Sequence, residues 1–561
     1  MPLSTTEPTS AATSTLPDVP LEPLPKGWRS LPRAFLQVAR RRWSKVAMAD
    51  SLKVSLTYGS ALTRALALGR VLRRELGPEP YVGVMVPPSV AGAIANISLL
   101  FLGKIPINLN YSASQGIIDK SIERCGIKQV ITSRRFLEKI HLKPSATHLY
   151  LEDLPAKVGT LDKAWAAMVA RVVPESMLGS FLPGLNHDRI DATATVMFTS
   201  GSTGDPKGVV ITHGNILSNV HQMRQHLRLD PIDVVALGVL PFFHCFGYTV
   251  GIWTILLLGK KAVYHSNPLD AKVVGDLCEK HEVTLLAASP TFFRHYIQRC
   301  KPEQFRHLFH ILLGAEKLKP EVAAQIEDVL KVAPLEGYGT SEMSPVAAVN
   351  VPFMLELEDG RTINGNRRGT VGRPMPGTSV RSVDPETGAE LPRGTEGIIV
   401  IKGPQIMAGY LDNPEATAKV LKDGWYSTGD LGYLDPDGFL VITGRLSRFA
   451  KIAGEMVPHE GVESALIAAL ELDERCVAVT SIPDPKRGER LAVIHTPWTL
   501  TPAEVCRKLV AGPIPKLWIP SPNDFVEVDE IPVLGTGKLD LRGIRELAAR
   551  LEPKPNEPAP R

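Results

Sequence analysis

The chain has 561 residues, with 63 Lys and Arg against 59 Asp and Glu and a formal net charge of +4. That near balance excludes a surface built to coat nucleic acid, and a hydrophobic fraction of 44% over this length supplies several cores, so at least two domains are expected. The six cysteines, Cys125, Cys245, Cys278, Cys300, Cys476 and Cys506, are scattered without a CxxC pair, which argues against a disulfide framework or a zinc site and for a reducing compartment.

Residues 1–28 lack the basic start and apolar core of a secretory signal and are expected to be a disordered tail. A helix opening near Pro32 carries the basic run VARRRWSK (38–45), read as a helix face covered by water, with contact to anionic lipid as the alternative. The apolar run 82–102 is interrupted by Pro87, Pro88 and Asn96, and the run 246–258 is too short to cross a bilayer. The expectation is a soluble cytoplasmic protein without a transmembrane segment, with room for peripheral contact at the inner face of the membrane.

From Tyr81 onward, apolar runs such as YVGVMVP, KQVITS, ATVMFTS, VVALGVLP, KAVYHS, TLLAASP and HILLGAE alternate with helical patterns, among them 271–281 and 292–300. This alternation predicts an α/β fold with doubly wound, mostly parallel sheets. After Gly369 the texture changes to short extended runs, predicting an antiparallel β subdomain over 369–444 within a large domain of 29–444. A hinge is placed at 445–448, then a small mobile α+β domain over 449–551 and a tail over 552–561.

The stretch ATVMFTSGSTGDPKG places an apolar strand before a loop of small and hydroxylated residues that ends in a lysine. Gly201, Gly204 and Gly208 let backbone N–H groups approach oxygens closely, Thr199, Ser200, Ser202 and Thr203 add hydroxyls, and Lys207 adds a positive charge, a composition suited to polyphosphate. It cannot be aligned to GxxxxGK[ST]. With LPFFHCFG (240–247), GAEKL (314–318), EGYGTSEMSP (336–345), GWYSTGDLGYLDPDGFLVITGR (424–445), KIAGEMV (451–457) and VLGTGKLD (533–540), the chain resembles the acyl-adenylate-forming superfamily over about 31–547. Within it, GRLSRFAKIAGEMVPHEGVE and IPVLGTGKLDL look most like the acyl-[acyl-carrier-protein] synthetase half of bacterial bifunctional acyltransferase/synthetase proteins, and the chain is similar also to long-chain fatty acyl-CoA synthetases. The acyltransferase that precedes that half in the bifunctional proteins is expected to be absent.

The resemblance implies roles for particular positions. Tyr338, presented by Gly337 and Gly339, would stack on adenine; Thr340 would reach the α-phosphate; Glu342 would hold the Mg²⁺ that accompanies ATP. Asp430, helped by Arg445, would accept both ribose hydroxyls, and Gly314, Ala315 and Glu316 would form another wall of the nucleotide site. Lys538 would stabilise charge as pyrophosphate leaves. The small domain would swing about Ser447, where many relatives have Asp or Lys, and Lys451, Gly454 and Glu455 would then face the site, Gly454 giving a pantetheine arm room to pass.

Amino-acid-activating relatives place an acidic residue soon after the aromatic motif, whereas 244–269 here contains neither Asp nor Glu. The apolar stretch HCFGYTVGIWTILLLG suits a hydrocarbon tail beside Gly247, with His244 either gating the acyl channel or buried as a core histidine. The expected reaction is activation of a medium- or long-chain fatty acid by ATP and Mg²⁺, with transfer to a phosphopantetheine thiol. The resemblance favours holo acyl-carrier protein slightly over CoA; Arg445, Arg448, Lys451, Lys486, Arg487 and Arg490 could dock an acidic carrier, although an ordinary solvated surface explains them at least as well. Rival readings are an enzyme using the adenylate for another acid and a catalytically silent acyl- or nucleotide-binding sensor. An HxxxxD string at His265 and Asp270 lies beside a predicted strand and is read as structural.

Overall fold

The structure is a computed structural model that describes residues 19–186, 190–199, 206–230, 232–357, 359–452, 455–472, 476–484, 486–512, 514–533 and 539–551. Six strands run parallel at the centre of a nine-stranded sheet, in the order Leu335–Gly339, His310–Leu313, Leu285–Ala288, Val235–Gly238, Lys261–Tyr264 and Val46–Asp50. Antiparallel strands Val346–Val349 and Arg373–Pro374 close one side, and Ser55–Thr57 the other. Alternation along the strands splits the apolar side chains between two cores. Ala236, Leu285, Ala287 and Leu312 face one, whereas Leu237, Leu286, Ala288 and Ile311 face the other, with helices Ala271–His281, Pro290–Arg299 and Pro320–Leu330. A sheet buried on both faces is what the near-continuous apolar runs require.

A second sheet, ordered Ile105–Asn108, Tyr81–Met85, Gln129–Thr132 and Thr147–Tyr150, is wholly parallel. The strand Thr193–Thr199 does not join either parallel sheet. It forms an antiparallel hairpin with Lys207–Thr212, to whose far edge Gly409–Tyr410 adds, so the hydroxyl-rich loop connects two adjacent strands rather than a strand and a crossover helix. Strands Ser379–Val383, Gly397–Lys402, Trp425–Leu434, Leu421–Lys422 and Leu440–Arg445 make a wholly antiparallel sheet. Arg373–Pro374, inside the expected β subdomain, belongs to the nine-stranded sheet instead.

Beyond Arg445 a smaller domain is built on strands Phe449–Ile452, Glu455–Pro458, Val477–Asp484, Gly488–His495 and Phe525–Glu527. Val477, Val479, Leu491 and Val493 pack with helices His459–Leu470 and Pro502–Ala511, while Ala478, Ile482, Ala492 and Ile494 pack with Leu541–Ala548.

Two expectations near the start of the chain are corrected. The tail does not extend to residue 28: the Gly377 N–H donates to the Val19 carbonyl, Gln225 Nε2 to the Pro20 carbonyl and the Glu22 N–H back to Gln225 Oε1, while Trp28 is buried. Burial of Trp28 and satisfaction of backbone groups offset the ordering entropy that a Pro-rich segment alone would not recover. Nor is VARRRWSK uniformly solvated. Arg40 in helix Leu31–Arg41 donates to the carbonyls of Val169, Ala170 and Val173, at 2.8, 2.9 and 2.7 Å, satisfying the end of helix Thr160–Arg171.

Replacing Arg40 by Met strands those three carbonyls and is expected to cost about 2–3 kcal/mol, whereas Arg41→Met at an exposed position changes stability by less than about 0.5 kcal/mol. Denaturant unfolding of the two variants side by side checks this.

Candidate active site

Register places the first pair of site residues. Asp430 on Trp425–Leu434 lies opposite Arg445 on Leu440–Arg445, and Arg445 Nε is 2.8 Å from Asp430 Oδ1. The Tyr338 phenol, from the end of strand Leu335–Gly339 in the nine-stranded sheet, donates to Asp430 Oδ2. Burial, and then the neighbouring Asp430 carboxylate, hold the Tyr338 phenol well above its ordinary pKa, so it remains a donor. Gly339 is demanded by a close approach, because a Cβ there would fall 1.7 Å from the Pro345 carbonyl oxygen.

Glu342 follows in the short helical turn Ser341–Met343 and accepts the Tyr410 phenol proton on Oε1 at 3.0 Å. Tyr410 reaches it because Gly409–Tyr410 pairs with Lys207–Thr212, bringing Tyr410 opposite Val209 and its ring 5.2 Å from Lys207 Nζ. Thr199 and Lys207 are directly paired at the mouth of the hairpin. The intervening Ser200, Gly201, Ser202, Thr203 and Gly204 lie outside the described residues, as do Gly454 and Lys538.

The donor set suits a nucleotide carrying Mg²⁺. Thr340 Oγ1 is buried without a hydrogen bond, beside the Tyr426 phenol, and the second oxygen of Glu342 has no partner among the described residues. Both are oxygen groups with bonding capacity to spare, and hard oxygen ligands fit that cation. Among the described residues no group of three or more His, Cys, Asp or Glu forms a closed metal cage.

The expected wall of Gly314, Ala315 and Glu316 follows strand His310–Leu313. A Cβ on Gly314 would stand 3.2 Å from the Gly337 carbonyl oxygen and 3.7 Å from Phe246, so this residue joins the Tyr338 strand to the aromatic motif. Ala315 adopts φ +71°, and Glu316 accepts from Thr291 Oγ1 at 2.6 Å while its other oxygen is buried without a partner.

Phe246 also begins a π-helix, Phe246–Thr254, a wide and rare geometry. Between it and strands Val235–Gly238 and Leu285–Ala288 lies a small apolar cavity of about 20 Å³, bounded by Leu237, Leu240, Phe246, Val250, Ile255 and Leu285. Space remains because the sheet presents Ala236, Gly238 and Ala287 there rather than larger side chains. Gly247 is required where the π-helix starts, since a Cβ would fall 2.2 Å from the Pro241 carbonyl oxygen. His244 is half-buried and accepts the Phe246 N–H on Nδ1 at 3.2 Å.

Ser447 occupies the turn Leu446–Arg448. On one side of it Arg445 is tied to Asp430; on the other, buried Arg448 donates to Glu463 Oε2 at 2.6 Å and to the Val479 carbonyl, inside the small domain. The proposed cationic carrier surface is therefore reduced. Arg445 and Arg448 are engaged as described and Arg490 pairs with buried Asp524, whereas Lys486, Arg487 and Lys451, whose Nζ is 3.6 Å from exposed Glu386, remain at the surface. His265 is buried, with Nδ1 2.9 Å from Ser51 Oγ and Nε2 3.9 Å from Asp270, which caps helix Ala271–His281.

Tyr410, Tyr426 and Glu336 are site neighbours without a part in the sequence reading. The pairing of Gly409–Tyr410 with the hairpin, together with the Met407 N–H donated to the Glu342 carbonyl, brings Tyr410 near Glu342, and nothing within AGYLDNPEAT states that pairing. Glu336 opens EGYGTSE, and its burial places its carboxyl pKa near 7 despite the Leu318 N–H donated to Oε1.

Residues 35–411 match the model of the AMP-binding enzyme family, and the chain belongs to that family. It is 29% identical to a long-chain-fatty-acid–CoA ligase of Yersinia pestis, over 94% of this chain and 96% of the relative. A Bacillus subtilis protein of the same name is also 29% identical, over 84% and 86%. The ATP-bound structure of MatB from Rhodopseudomonas palustris, 26% identical, superposes with a TM-score of 0.73 over 92% of this chain and 98% of that one. The o-succinylbenzoate CoA synthetase MenE of Bacillus subtilis, in complex with its acyl-adenylate intermediate, shares the fold at 22% identity and a TM-score of 0.73, over 91% and 97%. The chain is an ATP-dependent, adenylate-forming ligase with a large N-terminal and a smaller C-terminal domain.

A raised carboxyl pKa opposes folding once the unfolded carboxyl has ionised. The folded state retains the Glu336 proton between about pH 4.5 and 7 while the unfolded state releases it, so stability falls as pH rises through that window and levels off above it. Glu336→Gln removes the penalty, and its stability relative to the unmodified protein should improve by on the order of 3 kcal/mol between pH 5 and pH 8. Unfolding both proteins at matched pH values checks it; a constant gap contradicts it.

Proposed function

We propose that this ligase activates a medium- or long-chain fatty acid and transfers the acyl group to the phosphopantetheine thiol of CoA. The observation that carries the acid is the apolar lining beneath the π-helix, which adjoins the nucleotide wall through Phe246 and Gly314 and presents no side chain to pair with a substrate amine. The names of the Yersinia pestis and Bacillus subtilis relatives support the same acid class and CoA. A carrier-protein acceptor draws less support, because Arg445, Arg448 and Arg490, half of the cations invoked for docking, are engaged with Asp430, Glu463 and Asp524.

In the first half-reaction a carboxylate oxygen attacks the α-phosphorus of ATP, the Pα–O bond to the β-phosphate breaks, and pyrophosphate leaves. Tyr338 offers its ring to adenine, and Asp430, steadied by Arg445, accepts the ribose hydroxyls in place of the Tyr338 phenol. Thr340 donates its open hydroxyl to the α-phosphate, while Lys207 and the loop 200–205 hold the outer phosphates. Glu342, fixed by Tyr410, would hold Mg²⁺, which neutralises charge on the phosphates when bound. Lys538 is assigned to the carboxylate and the bridging oxygen.

In the second half-reaction the thiol sulfur attacks the acyl carbonyl, the C–O bond to phosphate breaks and AMP leaves, the thiol proton passing to solvent. Lys538 must first withdraw. Leu446 and Ser447 lie between two arginines anchored in different domains, a short stretch able to absorb the rotation, after which Lys451 and Gly454 would face the site.

Pyrophosphate release with Mg·ATP should rise with acyl length to an optimum among medium or long chains, with CoA supporting turnover better than holo acyl-carrier protein; the reverse acceptor order would overturn the acceptor assignment. Lys538→Ala should lose adenylate formation by about a hundredfold or more while retaining nucleotide binding by calorimetry. Gly251 lines the cavity with no atom closer than 4.0 Å to an added Cβ. Gly251→Val should therefore shift the optimum to shorter acids and lower kcat/KM for the longest by roughly tenfold or more.

A further inference from the structure

Helix Thr160–Arg171 buries Asp162, Ala166, Val169 and Ala170 and turns its opposite face outward. Leu161, Trp165, Met168 and Val172 recur there at helical spacing, on one face. Leu161 is 80% exposed, Val172 70% and Met168 45%, and Met177 in the following turn is 54% exposed. Scattered exposed apolar residues are ordinary, but this is a continuous ridge over 17 residues of chain.

Beside the ridge opens a depression of about 270 Å³, with Leu66, Phe101, Leu102 and Phe181 forming its apolar floor and Arg70, Arg73, Arg74 and Trp165 its rim. Arg70 and Arg74 are each 2.9 Å from Asp162, and the Arg70 guanidinium carbon lies 4.9 Å from the Trp165 ring centroid. Arg73 is exposed and makes no ion pair or hydrogen bond among the described residues. Arg171 extends the positive border along the helix, its guanidinium 4.8 Å from the Trp43 ring.

We propose that this surface seats the protein on an anionic phospholipid bilayer, the ridge Leu161–Met168–Val172 entering the headgroup boundary while Arg73 and its neighbours face lipid phosphates over the depression. An apolar stripe bordered by Arg, with an amphipathic Trp at the boundary, is the composition that holds a helix in the plane of a membrane interface. The surface is separate from the nucleotide site and the acyl cavity, and no helix among the described residues is long and apolar enough to cross a membrane. The contact is thus at the interface, where a long-chain acid partitions.

Flotation of the full chain with vesicles tests this. Binding should be strong to phosphatidylcholine vesicles containing phosphatidylglycerol, weak to phosphatidylcholine alone, and reduced by added salt. The double variant Leu161→Ser, Val172→Ser and the single variant Arg73→Glu should each lower partition to the anionic vesicles by about tenfold or more, with adenylate formation from a water-soluble acid unchanged. These positions are exposed, so folding is not at stake. Equal partition to both vesicle types, or variants that float as the unmodified chain does, would overturn the proposal. Vesicle-free dimers dissociated by the double variant would also overturn it, assigning the ridge to a second copy.

Discussion

The contact on which the rest depends is the cross-strand pair of Asp430 and Arg445, with the Tyr338 phenol as third member. It ties the last strand before the small domain to its neighbour and to the central parallel sheet. Three separate segments thus converge on one buried carboxylate. A ligand hydroxyl that binds Asp430 must displace the Tyr338 phenol, so the carboxylate exchanges one donor for another and is never left bare in a poorly hydrated site. The same pair fixes the chain up to Arg445, which confines any reorientation of the small domain to the residues immediately after it.

Around that anchor the site divides by polarity. Glu342, Tyr410, Lys207 and the open hydroxyl of Thr340 gather on the side of the hairpin, whereas Phe246 and the π-helix wall off an apolar space. Gly314 is where the two compartments touch, and a larger residue there would press on both the Gly337 carbonyl and Phe246. Glu336, which precedes Gly337 at this junction, is held toward its neutral form by burial.

Much of this was legible in the sequence where chemistry is local. The strand and helix alternation over 260–335 corresponds to real crossovers, because each apolar run is buried on both faces. The pairing of Asp430 with Arg445 was anticipated by motif, and register supplies its physical cause. What the sequence did not disclose are contacts made between distant segments. Tyr410 reaches Glu342 through an added edge strand, and Arg40 leaves the solvent only because a helix 130 residues later ends beside it. The six cations of the small domain read alike in sequence, yet partners on other strands separate Arg448 and Arg490 from the exposed Lys486 and Arg487. Trp28 looked like the end of a disordered tail for the same reason: its pocket is assembled from elsewhere.

The π-helix bears on how such a cavity could change over evolutionary time. Its wide turn holds more residues per revolution than an α-helix, so loss of a single residue within 246–254 would let ordinary i to i−4 bonding resume. The side chains within the former wide turn would then change their bearing on the sheet, while those beyond it would keep theirs, so the residues that line the space are exchanged locally. A change of length, with no substitution at all, is therefore a one-step route to a differently shaped hydrocarbon chamber over an unaltered nucleotide site.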